Sequence, residues 1–106
     1  MKDHPNLSYI HQLSGGDKVF EYKIFEVIKK ELPQELLAFK HCIEKNNFKE
    51  ASSVVHKLKH KISILGMEQN YALAEIYEKE LKEGINNGQQ EFEEILQGML
   101  TFIEQT

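Results

Sequence analysis

The chain has 106 residues, 41% of them hydrophobic and 28% charged, with a net charge of −4 and a single cysteine. That is the composition of one globular domain, large enough for a core without disulfide or metal staples and too apolar for a disordered segment. The acidic balance disfavours nonspecific nucleic-acid binding, the lone Cys42 excludes an internal disulfide, and no apolar run reaches the roughly 18 residues of a membrane span. With no signal-peptide pattern, a cytoplasmic protein with neither nucleic-acid nor membrane partners is expected. Cys42, spaced with Phe39 and Ile43, reads as a small core residue rather than a nucleophile.

Helix periodicity runs nearly end to end, and strand signals are almost absent. Asn6 is placed to cap a short helix carrying Leu7, Ile10 and Leu13, closed by Gly15 and Gly16. Asp17 caps a longer helix with Phe20, Ile24, Val27 and Ile28 on one stripe. Pro33 either opens a new helix or kinks a continuous one, and a break or bend near residues 31–33 is expected. Leu36, Leu37, Phe39 and Ile43 carry the next stripe to a turn at Asn46 and Asn47. Residues 48–65 form a further helix, ended by Gly66 in the left-handed position. Leu73, Ala74, Tyr77 and Leu81 mark the next, which stops at residues 84–88. Phe92, Ile95, Leu96, Met99, Phe102 and Ile103 mark the last, where Gly98 suggests close helix packing. The pattern predicts an all-α fold over residues 1–106: an antiparallel four-helix bundle, up-down-up-down, with a short extra N-terminal helix.

The stretch from His56 to Gly66 carries the chemistry. Extended back to Ala51, its apolar residues at 51, 54, 55, 58, 62 and 65 form one core-facing stripe. His56 lies roughly 150° from the middle of that stripe at 100° per residue. Ser52, Lys59, His60 and Ser63 are expected on the same outward side, and Ile64 also lies there, where an apolar residue suggests a docking surface. His56 and His60 have zinc-chelating spacing. No Cys, Asp or Glu on this helix completes such a site, and Lys57, Lys59 and Lys61 would repel a cation, so no metal site is expected. No placed Ser, Cys or Thr, glycine-rich phosphate loop or carboxylate pair points to hydrolysis. A merely solvated face is the bland alternative. Against it, an exposed imidazole is a competent nucleophile near neutral pH, and the adjacent lysines could stabilise a phosphoryl group.

His56-x-Leu58-Lys59 followed by Leu65-Gly66 resembles the signature of histidine-containing phosphotransfer (HPt) domains. The resemblance extends over nearly the whole chain. Leu13-Ser14-Gly15-Gly16-Asp17 is similar to the family's lead-in to its first bundle helix. Phe25 and Glu31-Leu32-Pro33 sit where members often have a Phe and a Pro, and Tyr77-Glu78 falls where many carry Leu-Glu. His60 departs from the family's usual Gly, and Asn70 is polar where many members are apolar.

The resemblance implies a phosphocarrier without turnover chemistry of its own. His56 would accept a phosphoryl group from a receiver-domain aspartyl phosphate and pass it to another receiver in a two-component phosphorelay. Lys59 would stabilise the phosphoryl oxygens, with Lys57, His60 and Ser63 as further candidates. Ser52, Ser53, His60, Ile64 and Met67 would dock the partner. The partners implied are receiver domains of response regulators or hybrid histidine kinases, met by a monomer. No cofactor of its own is implied, Mg2+ being expected on the receiver. Two alternatives stand beside this reading: a helical adaptor that binds receivers without phosphotransfer, and a substrate domain phosphorylated directly by a linked histidine kinase.

Overall fold

The computed structural model describes residues 3–106, which form five helices and, among the described residues, no strand. These are α1 (Ser8–Ser14), α2 (Lys18–Glu44), α3 (Phe48–Ile64), α4 (Glu68–Lys82) and α5 (Gln89–Gln105). α3 packs against α2 and α4, α5 closes against the same two helices, and α1 lies on α2. The molecule is elongated, 43 × 26 × 19 Å, in keeping with the length of α2. Among the described residues no helix is long and apolar enough to cross a membrane.

Local chemistry sets most of the helix ends. Asp17 caps α2 by accepting hydrogen bonds from the Val19 and Phe20 amides at 3.0 and 3.2 Å. Asn47 caps α3 through Glu50 N–H, and Glu50 answers by accepting from the Asn47 side chain at 3.0 Å. Asn6 lies one residue before the N-cap of α1, which Leu7 occupies, and its side chain accepts from the Ser8 amide. α4 has no cap from its own N-cap residue, Met67. Asp3 serves instead, accepting from the Gln69 and Asn70 amides, while the Asn6 amide donates to the Leu65 carbonyl. Gly66 permits this crossing: its φ is +78°, and a Cβ there would stand 2.6 Å from the Asn6 side chain.

The core is continuous across α2–α5. Phe39, Tyr77 and Phe92 meet from three helices with ring centroids 5.2–6.1 Å apart. Cys42 is buried, and burial pushes its thiol above the ordinary range. Several apolar positions read as core are exposed instead: Leu13, Phe20, Val27, Leu37 and Leu73. Gly98 faces open space, so it is not a site of close packing.

α2 runs unbroken through Pro33, contrary to the expected break. The proline ring is exposed, whereas Leu32 and Phe39 are fully buried, so packing on both sides of the proline keeps the two halves in one continuous helix. Pro33 has no N–H to give the Lys29 carbonyl, a local defect that tertiary contacts outweigh. Replacing Pro33 with Ala should therefore raise stability by about 1–3 kcal/mol, checked by chemical denaturation. An unchanged or lower midpoint would show that the proline is accommodated without cost.

Candidate functional site

α3 is flanked on both sides, and this widens its buried arc beyond one stripe. Lys59 lies roughly 90° from the stripe centre towards α4, and Lys61 roughly 70° from it towards α2. Both lysines are buried. Lys61 Nζ is 2.9 Å from Glu31 Oε1 and 2.9 Å from Glu35 Oε2, tying α3 to α2. Lys59 Nζ is 3.0 Å from Glu78 Oε1 and lies over the Tyr71 ring, tying α3 to α4.

Glu78 is the centre of the site. Its side chain is only 8% exposed, yet it meets three nitrogen-bearing groups. Besides Lys59, His56 Nδ1 stands 3.1 Å from Oε2 and Lys82 Nζ stands 3.4 Å from it, one turn along α4. A carboxylate beside Nδ1 holds the proton on that nitrogen and leaves Nε2 with the free lone pair. The His56 side chain is 52% exposed, so the imidazole is anchored on one edge and open on the rest. The His60 ring meets it edge to face, with centroids 4.8 Å apart.

Burial is the largest single influence on Glu78 and disfavours its charge. The hydrogen bond and charge of Lys59, joined by His56, outweigh burial and hold the carboxyl below its usual range. For Lys59, burial again opposes the charge and Glu78 outweighs it, so the ammonium lies above the usual lysine range. Lys61 is raised in the same way by Glu31 and Glu35.

These positions correct several expectations. Lys59 is not on the outward face, because the α4 flank that covers it is invisible to a single-stripe reading. Ser52 is also buried on that flank, where its hydroxyl donates to the Lys49 carbonyl, so it is unavailable for docking. Met67 is 1% exposed: the turn after Gly66 folds it inward, where its sulfur accepts from Asn70. Ser53, Lys57, His60 and Ser63 are exposed, and Ile64 is half-buried. His60 and Ile64 line a groove of about 280 Å³ with Ile24 and Val27 of α2. In the sequence Glu78 stands out only for its place beside Tyr77. The signal that marks it is a carboxylate within the buried stripe of α4, between Ala74 and Leu81, with Lys82 four residues on.

No family model matches the chain, no curated protein matches it, and no solved structure matches it.

The charge pairs set a pH window. Glu78 is depressed, so its contribution is complete above the ordinary carboxylate range and is lost as pH falls through its lowered value, below 4.5. Lys59 and Lys61 are raised, so theirs is complete below the ordinary lysine range and is lost as pH rises through values above 10.5. Denaturation midpoints against pH should show these two limbs, and Glu78→Gln should shrink the acid limb. The same variant strands the Lys59 ammonium and should cost about 3 kcal/mol at pH 7. A loss under about 1 kcal/mol would mean that Lys59 rotates out to water.

Proposed function

We propose that the chain is a phosphohistidine carrier in a two-component phosphorelay, with α2–α5 as the up-down-up-down four-helix bundle of the HPt class. The observation that carries this reading is the state of His56: half exposed, with Nδ1 against the Glu78 carboxylate and Nε2 left as the nucleophile. The signature His56-x-Leu58-Lys59 and Leu65-Gly66 adds the resemblance.

In the transfer, His56 Nε2 attacks the phosphorus of a receiver's aspartyl phosphate. The N–P bond forms as the P–O bond to the aspartyl carboxyl breaks, and the electron pair leaves with that carboxylate. The imidazole becomes cationic while keeping its Nδ1 proton, and Glu78 stabilises that charge. No proton need leave, so the step reverses readily towards a second receiver. The receiver brings the Mg2+ and most of the charge stabilisation around the phosphoryl oxygens, because Lys59 is committed to Glu78. Glu78 acts here as a positioning residue. The groove beside His60 and Ile64 would seat the receiver in a small, transient interface, with the chain as a monomer. A cytoplasmic setting agrees with its lone, buried thiol.

The burial of Lys59 also favours a second reading, an adaptor that binds receivers without accepting phosphate. Mixing the chain with a phosphorylated receiver and Mg2+, and weighing it intact, separates the two. A gain of one acid-labile, base-stable phosphoryl group that is absent in His56→Gln is the expected outcome. Binding without mass gain across several receivers would favour the adaptor. Since His56 is half exposed, His56→Gln should keep wild-type helicity, and a large loss would make the residue structural.

A further inference from the structure

We propose that His56 and His60 form a two-point site for a borderline-soft divalent cation of the Zn2+ or Ni2+ class, with solvent completing the coordination. Two imidazoles four residues apart on one helix face have chelating spacing. The ring separation is compatible with a shared cation. A cation about 2.0–2.1 Å from one nitrogen of each ring stands roughly 3.2 Å from each centroid, so bond angles of about 90–110° require centroids roughly 4.5–5.2 Å apart. The two centroids are 4.8 Å apart, with the ring planes inclined at 61°.

Glu78 provides an independent argument. Metal-ligating histidines characteristically give their other ring N–H to a carboxylate, which fixes the tautomer and strengthens the ligating nitrogen. His56 has that partner, with Nδ1 3.1 Å from Glu78 Oε2. The charge objection raised by the sequence also weakens. Of the three lysines near the pair, Lys59 is matched by Glu78, and Lys61 by Glu31 and Glu35. Imidazole donors without a ligating carboxylate select zinc, nickel or copper over magnesium and calcium. Among the described residues no group of three or more His, Cys, Asp or Glu converges to hold a metal, so this is an open chelate and not a closed structural site. A bound cation would occupy His56 Nε2, the nitrogen that phosphoryl acceptance needs. Metal binding itself rests on the two rings alone and not on the phosphotransfer reading.

The test is isothermal titration of the chain with Zn2+, with Mg2+ as the control. Three further proteins are compared: His56→Gln, His60→Gln, and a triple variant replacing His4, His11 and His41 with Gln. One Zn2+ should bind per chain, at least tenfold more weakly in either single variant and unchanged in the triple, with no heat from Mg2+. Affinity in His60→Gln within twofold of the parent, or loss of binding in the triple variant, would overturn the site. Saturating Zn2+ should also block phosphoryl uptake by His56. If Zn2+ binds as described and no phosphoryl is ever taken up, the carrier reading fails and the metal site stands. Uptake without the chelate effect would have the opposite meaning.

Discussion

A carboxylate placed among buried apolar side chains has to be neutralised, and the site is organised around how Glu78 meets that demand. α4 places it between Ala74 and Leu81, one turn before Lys82. α3 answers with Lys59 and His56, so a single side chain joins the two helices through two polar partners. On the opposite flank, Lys61 reaches Glu31 and Glu35 of α2. α3 is thus held by a buried ammonium on each side, which fixes its rotation about its own axis. The arc left over carries Ser53, His56, His60 and Ser63.

This arrangement divides the roles of residues that look interchangeable in sequence. Lys57, Lys59 and Lys61 alternate along α3, yet the first is exposed and the other two are structural cations. An ammonium with its carboxylate already 3.0 Å away is a poor candidate for gripping an incoming phosphoryl group. On the phosphotransfer reading, the chain therefore supplies a nucleophile of defined tautomer and little else, and the partner supplies the charge stabilisation. On the metal reading, the same tautomer makes Nε2 a ligand. Both readings make use of the hydrogen bond between His56 and Glu78.

Much of the fold was legible because helices advertise themselves locally. Asp17 caps where its side chain predicts, the turn at Asn46 and Asn47 is found, Gly66 adopts a positive φ, and the stripe from Phe92 to Ile103 is the inner face of α5. The errors have physical causes. Pro33 should break α2 on propensity, but packing of Leu32 and Phe39 is worth more than one backbone hydrogen bond. Asp3 caps α4 from 66 residues away in sequence, which no local rule could anticipate.

By itself the sequence determined the all-helical class, the Asp17 cap of α2, and the outward placement of His56 and His60. These depend on a period of 3.6 residues and on side chains bonding to their own backbone. Only the tertiary structure decided that Lys59, Ser52 and Met67 are buried, that Glu78 is the partner of His56, and that the two imidazole rings meet with centroids 4.8 Å apart. The periodicity of one helix tells which side faces the core. The number of neighbours decides how wide that side is, and α3 has two.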